Sequence, residues 1–429
     1  MALTIPSETI TEVLQRTDLV ELISRHVVLK RAGKSWKGLC PFHEEKSASF
    51  TVDGERWRCF GCNAHGDALE WLKRKEGLPF LDAIRRLAAA AGIPLPSVTT
   101  REPTSDPTAK VLQLASDHFT AALAAPAGAP ARDYLASRGL SAETIAELGI
   151  GWAPDAWTTL TDKLARLGFL SAAKALGLSV ARQGSGGHYD LFRGRVIFPI
   201  RSHSGALLAF SGRYLGTTPA PKYLNSPESA RYKKASTLYG LDLARQDLRR
   251  TRTAILVEGN FDFAALWQAG VKNVVALCST ALTGEHLALL RRCDVTELVL
   301  LLDGDKAGQA AITQHARLIL PSGFATRVAH LPFGDDPDTF ARREGRAGVE
   351  ALISAATPFS AVFLERLLPR GAQAPFEQKL RGRQALATFL ERLEGGFWRS
   401  AFLAEAARHF GVPAEDLLPT PPSSGPRRA

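Results

Sequence analysis

Cysteine is scarce: five residues in a chain of 429. A small odd count excludes the disulfide framework of a secreted domain and points to a reducing compartment. Long apolar runs are missing too. No stretch approaches the roughly 18 residues that a membrane span needs, so no membrane partner is expected. The opening MALTIPSETITEVLQRTDLVELI interleaves acids with apolar residues and reads as an amphipathic helix. It lacks the basic start and unbroken apolar core of a secretory signal, and nothing in it directs the chain out of the cytoplasm. Internal repeats are absent.

What is present is a folded-protein composition, 45% hydrophobic and 22% charged. The length exceeds what one compact core holds, and about two to four domains are expected. The net charge is +10 and the isoelectric point near 9.5. That excess suits a polyanionic partner without naming one. It is concentrated: from Asp190 to Arg252 there are twelve Lys and Arg against four Asp and Glu.

The chain changes character along its length. A helix, short β-type segments around SFTVDGERWRCFGC and the helical run DALEWLKRKEGLPFLDAIRRLAAAAG make a first unit, 1–96. A Pro-, Ser- and Thr-rich stretch reads as a linker, 97–110. Helical periodicity runs from Val111 past Tyr134 to Leu148, then gives way to an irregular basic segment with the strand-like RVIFPI and ALLAFSG. From Thr253, strands (AILVEG, VVALC, ELVLLLDG, TRVAHLP) alternate with helices, which predicts a mainly parallel, Rossmann-like sheet. Residues 359–418 read as helical, and the tail 419–429 as disordered. The fold class expected is therefore multidomain, α+β followed by α/β.

Three of the cysteines sit in GLCPFHEEK and WRCFGCNAHG. Cys40 and His43 form C-x-x-H; after fifteen residues, Cys59 and Cys62 form C-x-x-C. Each two-residue spacer lets a turn aim two ligands at one ion, and two such turns complete the tetrahedral shell that zinc prefers. Four protein ligands leave no open position, so the zinc is expected to be structural. His65 reads as a turn residue. Lys30, Arg31, Lys34, Trp36, Lys37, Trp57, Arg58 and Phe60 surround the site. Such rings can stack on the bases of single-stranded nucleic acid or fill a core too small to stand on zinc alone; both readings stay open.

A second cluster is acidic. LVEGNFD places Glu258 at a strand end and Asp262 one helical turn later. LLLDGDKAG places Asp303 and Asp305 at another strand end, and LPFGDDPDTF places Asp335, Asp336 and Asp338 after a third. Ligands of open parallel sheets bind beyond the carboxyl ends of the strands. Two carboxylates as close as Asp303 and Asp305 repel unless a cation lies between them, and hard oxygen ligands suit Mg2+. DGD alone could equally be a turn and helix cap; three acidic segments on one sheet edge favour the metal.

These residues carry a resemblance. The chain resembles bacterial DNA primases of the DnaG type over nearly its whole length. GLCPFHEEK and SFTVDGERWRCFGCNAHGDALEWL are similar to that family's CHC2 zinc ribbon. LFRGRVIFPI, AFSGRYLG, APKYLNSPE and LYGLDLA resemble its basic polymerase subdomain, 111–252. LVEGNFD, STALT, LLDGDKAG and DDPDTF resemble its Toprim subdomain, 253–345, with a helical segment at 346–418. The resemblance implies a nucleotidyltransferase that makes short RNA primers on single-stranded DNA from ribonucleoside triphosphates, leaving an RNA–DNA duplex. It implies Glu258, Asp303 and Asp305 as catalytic, holding Mg2+ or Mn2+, with Asp262, Asp336 and Asp338 in support. It implies a basic ridge of Arg193, Arg195, Arg213, Lys222, Tyr223, Asn225 and Lys234 for template and nucleotide phosphates. Lys233, Arg249 and Arg250 read as solvated surface charges. A monomer in the nucleoid-containing cytoplasm is expected.

There are departures. Asn260 and Phe261 stand where the family has Tyr-Met, and Ser279, Ser211 and Ala235 stand at usual glycines. The family continues into a helicase-binding domain that these 429 residues do not display, so coupling to a replicative helicase through it is not expected. A primase of a mobile element, or a divergent second copy, fits a shortened chain. Two other readings remain: a Toprim-type metal-dependent nuclease, and a non-catalytic single-strand-binding protein.

Overall fold

The computed structural model describes residues 7–43, 45, 47–76, 78, 80–93, 106–182, 184, 186–277, 281–303, 306–391 and 396–418. The chain divides into two compact units, Met1–Thr104 and Ser105–Ala429. No helix among the described residues is long and apolar enough to cross a membrane.

The first unit is an antiparallel meander of five strands, Lys30–Ala32, Ser35–Gly38, Phe50–Asp53, Arg56–Cys59 and His65–Gly66, in chain order. The Asp53-Gly54 turn carries Gly54 at φ 56°, a left-handed conformation that glycine adopts without strain. Trp57 and Trp71 are buried, with ring centroids 5.7 Å apart, and Phe42 and Phe50 pack on both. Trp57 therefore belongs to the core, and its Nε1–H donates to the Asp67 carbonyl at 3.0 Å. Phe60, by contrast, is 66% exposed beneath the Arg58 guanidinium. The helix expected across the N-terminus is two, Ser7–Arg16 and Leu19–Ser24. Thr17 bonds back to the Val13 carbonyl at 2.6 Å and Asp18 caps the second helix, so the chain breaks between them.

In the second unit, the expected linker overruns. Residues 97–105 lie outside the described set, but Asp106 caps a helix, Pro107–Ala124, and accepts from the Thr108 N–H. Proline at the first helical position is favourable, which its reading as a loop former concealed. The stretch after Leu148 is also more ordered than expected. It holds a strand (Gly151–Ala153), two helices (Thr159–Arg166, Leu170–Ala175) and the strand pair Ser179–Ala181 and His188–Asp190. Asp190, buried, organises it by accepting from the N–H groups of Leu160 and Thr161.

Two sheets follow. The first is antiparallel, in the order Tyr223–Asn225, Leu207–Tyr214, Arg195–Arg201, Gly151–Ala153. The second runs Val274–Ala276, Thr253–Val257, Glu297–Leu301, Ala325–Ala329, Thr357–Pro358; its first four strands are parallel and the last antiparallel. Three of the parallel strands, Val274–Ala276, Thr253–Val257 and Glu297–Leu301, are almost wholly buried, which is why they read as apolar runs; Ala325–Ala329 is buried only at its last two residues. The boundary expected at 345 falls on a break: Gly345, at φ 63°, leaves helical geometry and divides Pro337–Ser354 into two helical segments. The strand Thr357–Pro358 then pairs antiparallel with Ala325–Ala329; a two-residue strand is too short to announce itself in sequence.

The sheets share one hydrophobic core. Phe198 meets Phe261 edge-to-face at 4.9 Å, and Tyr239 meets Phe263 at 5.0 Å. The helices Phe359–Leu367, Phe376–Glu391 and Phe397–Phe410 close the unit around Phe363, Phe389 and Phe402.

Candidate metal centres and nucleic-acid face

Cys40 follows the strand Ser35–Gly38, Cys59 ends Arg56–Cys59, and the turn between that strand and the next carries Cys62. Ligand atoms of Cys40, His43, Cys59 and Cys62 lie within 4.8 Å of one another. Cys40 Sγ and Cys62 Sγ are 3.8 Å apart, as are Cys59 Sγ and His43 Nδ1. A tetrahedron with metal–sulfur bonds of about 2.3 Å has edges of about 3.8 Å, so the quartet fits zinc. Burial pushes the Cys40 thiol up to about 12. Burial also acts on Cys59, but its contact with the Ser49 hydroxyl and hydrogen bonds from the Cys62 and Gly61 N–H groups bring it down to about 7. Gly61 is needed for proximity: a Cβ there would stand 2.6 Å from His43 Nε2.

Glu45 joins this site, and no pattern in the sequence marks it. Its carboxylate faces His43 Nε2 at 3.3 Å and accepts the Cys40 N–H at 2.7 Å and the Ser49 N–H at 3.1 Å. Hydrogen bonding from the Ser49 hydroxyl, ahead of the other contacts, holds its carboxyl below the usual value. A carboxylate on the second ring nitrogen fixes the orientation of a ligating histidine.

The acids gather in the second unit. Thr253–Val257 lies between Val274–Ala276 and Glu297–Leu301, so the chain leaves it toward one side and leaves its neighbour toward the other. That is a topological switch point, where a crevice opens beyond the strand ends. Glu258 and Asp303 stand at the two ends that flank it. The Asp262 carboxyl is pushed up to about 8, by burial first and then by the negative charges of Asp303, Asp336 and Asp338. Residues from three separate loops thus meet. Asp305 and Ser279 lie outside the described residues.

The acids are not equivalent. Asp336 caps Pro337–Ser354, accepting the Thr339 N–H at 2.7 Å. Asp335 forms a two-pronged pair with Arg343 at 3.0 and 2.7 Å. Asp338 is 1% exposed, and its two oxygens meet Arg138 and Arg342. It is expected from sequence as a supporting metal ligand, and two guanidiniums hold it. Glu258 and Asp303 follow the two strands that flank the crevice, and Asp303 and Asp336 both act on the Asp262 carboxyl. Among the described residues, the cysteine–histidine quartet alone brings three or more ligand atoms as close as 4.8 Å.

The basic residues also divide. Arg195, 4% exposed, donates to the carbonyls of Gly212 at 3.1 Å and Pro221 at 2.9 Å. It ties strands together and is not placed to hold phosphate, a correction that its position in a buried strand explains. Arg213 donates to the Tyr134 hydroxyl at 3.2 Å and lies over the Tyr223 ring. Lys222 is exposed; Tyr223, Asn225 and Lys234 are half-buried. Burial pushes the Tyr223 phenol up to about 12, and that phenol feels both Arg213 and Asp262, so the basic sheet's edge borders the acids. Arg249 and Arg250 pair with Asp294 and Asp247, as surface charges do. Ser211 sits in regular strand pairing and Ala235 in a 3-10 turn, conformations that need no glycine.

One further group is unmarked in sequence. Trp157 is 59% exposed. Arg193 lies 4.3 Å from its ring centre, Arg182 lies 5.3 Å away, and Tyr189 packs edge-on at 5.8 Å. An isolated aromatic in a Pro-Asp turn has no periodicity to reveal it.

Known proteins share these features in the same order. Residues 5–103 match the CHC2 zinc finger family, 118–245 the N-terminal domain of the DNA primase catalytic core, and 255–341 the Toprim-like family. The DNA primase of Myxococcus xanthus is 45% identical over 97% of this chain and 70% of its own length. The chain belongs to the DnaG-type DNA primases. These are nucleotidyltransferases that act as DNA-directed RNA polymerases, and the chain carries their zinc ribbon, catalytic core and Toprim fold. A crystal structure of the zinc-binding and RNA polymerase domains of the Aquifex aeolicus primase covers 96% of the chain and 98% of that structure, with a TM-score of 0.62 and 29% identity. A primase catalytic domain solved bound to single-stranded DNA covers 70% of the chain and 98% of that structure, with a TM-score of 0.61 and 34% identity. The chain spans 62% to 76% of the length of the curated primases it matches. Membership in this primase family brings a zinc site and a divalent-metal site, and the quartet and the acids fit them.

Proposed function

We propose that the chain synthesises short RNA primers on single-stranded DNA from ribonucleoside triphosphates. The observation that carries this is the match to a DNA primase over 97% of the chain, with Glu258 and Asp303 following the two strands that flank the switch point. Glu258, Asp303 and Asp336, with Asp305 by family pattern, would hold Mg2+, or Mn2+ in its place. Bound there, divalent cations neutralise triphosphate charge and lower the pKa of an attacking 3′-hydroxyl.

The chain's own residues do the rest. Arg213, Lys222 and Lys234 present cations to phosphates beside the acids. Asp262, whose carboxyl is raised by burial and by neighbouring negative charge, would support the ion-binding acids. Arg193 on Trp157 and Tyr189 offers a cation and a stacking face, the combination that tracks a single strand. The related domain solved with single-stranded DNA supports that use. The zinc stays structural, and the product is an RNA–DNA duplex formed in the cytoplasm by a monomer.

The test is incorporation of labelled nucleotide on varied single-stranded templates, with and without added helicase. Incorporation lost in Asp303→Ala and Glu258→Gln supports the assignment. Metal-dependent cleavage without incorporation would overturn it in favour of a nuclease.

A further inference from the structure

Lys234 stands in a single 3-10 turn, Lys234–Ser236. So short a turn does not hold its own backbone direction. Three side chains do this for it. Glu228 accepts the Lys234 N–H at 3.1 Å. His286 Nε2 lies 2.9 Å from the Lys234 carbonyl. The Thr283 hydroxyl donates to the Ala235 carbonyl at 2.5 Å.

Thr283 and His286 belong to one device. Thr283 caps the helix Gly284–Arg292 and accepts the His286 N–H at 3.1 Å, while His286 Nδ1 accepts the Thr283 N–H at 3.3 Å. A backbone N–H only donates and a carbonyl only accepts. The two ring contacts together therefore fix one neutral tautomer, with the proton on Nε2. His286 is completely buried, and burial lowers its pKa, so the ring stays in that state. A helix cap needs only the Nδ1 contact. The Nε2 contact reaches 52 residues back along the chain, to the turn that carries the ridge lysine. Among the described residues no carboxylate pairs with the Lys234 ammonium, which leaves it for a ligand.

We infer that His286, with Thr283, is a positioning residue that sets the direction in which Lys234 presents its ammonium to a nucleotide or template phosphate. This rests on the reading of Lys234 as a phosphate-binding residue. The helix that carries His286 lies between the two acid-bearing strands in sequence, so the device couples the ridge to the fold that holds the acids.

The experiment splits the two ring contacts. Asn places its oxygen near Nδ1 and keeps the cap; Gln places its amide near Nε2 and keeps the bond to Lys234. His286→Asn is expected to raise KM for nucleotide about tenfold with kcat within about twofold, and His286→Gln to restore most of it. Combined with Lys234→Ala, His286→Asn should add no further rise. Equal losses of activity and Tm in both histidine variants would reduce His286 to a cap and overturn the inference. An unchanged KM in Lys234→Ala alone would instead overturn the reading of Lys234. Should His286→Asn not fold, Thr283→Val reads the same turn through the Ala235 carbonyl, and a normal KM there would also count against the device.

Discussion

Arg138 and Asp338, 200 residues apart in the chain, form an ion pair at the edge of the acid cluster. The aspartate is almost fully buried, and Arg342 meets its other oxygen at 2.9 Å. Burial still pushes its carboxyl above the usual value, so the two guanidiniums offset only part of the cost of burying it.

Arg138→Ala should therefore destabilise the second unit. The pair is partly open to solvent on the arginine side and Arg342 remains, so a loss of about 2–3 kcal/mol is expected. The denaturant midpoint reads it. Adding Asp338→Asn to that variant should recover part of the loss, because the buried carboxylate that has lost one of its two partners is then replaced by a neutral amide.

Asp262 gives a pH signature to protein without added divalent cations. Its carboxyl lies near 8 in the fold, against an ordinary value of 3.8. The folded state thus keeps its proton where the unfolded chain has lost it. The stability this confers is complete below about pH 4 and is lost as pH rises through about 8. Tm should fall between pH 5 and pH 8, and Asp262→Asn should flatten that slope. An equal slope in the variant would count against the clustering of the acids.

Glu45→Gln should weaken zinc about tenfold without removing a ligand, measured by competition with a chromogenic chelator. Stripping the metal should lower the melting transition of the first unit and leave that of the second in place, since each has its own core.

Trp157→Ala should weaken binding of single-stranded DNA by about 1–3 kcal/mol with little change in its salt dependence. Arg195→Met should do the reverse, leaving affinity near normal and lowering Tm, because Arg195 serves two backbone carbonyls. Fluorescence anisotropy at several salt concentrations separates the two.

The zinc quartet and the alternating strands were readable because each is a local pattern: paired ligands on two-residue spacers, and apolar runs punctuated by acids. The switch point depends on the order of strands in the sheet, which no local pattern in the sequence gives. What sequence could not convey was who already holds a charge. Arg195 and Asp338 look like their neighbours Arg193 and Asp336 in the string, yet burial and backbone carbonyls take the first, and Arg342 one helical turn on together with the distant Arg138 take the second. Glu45 and Trp157 acquire meaning only from what folds against them. Asn260 is buried in the helix after Glu258, and nothing in the structure explains its presence in place of the family's tyrosine.

The core shared by the two sheets bears on the timing of synthesis. The first unit closes on contacts within residues 7–93 and has all its partners early. In the second, Phe198 waits for Phe261, and Arg138 for Asp338. At about 5–20 residues per second, a ribosome takes on the order of 10–40 s to cross that last interval. The catalytic unit must therefore remain incomplete on the ribosome long after the zinc ribbon has formed. Stalled nascent chains ending near residue 150 should resist protease only in the ribbon, and protection of the rest should appear abruptly once the strand Thr357–Pro358 has emerged.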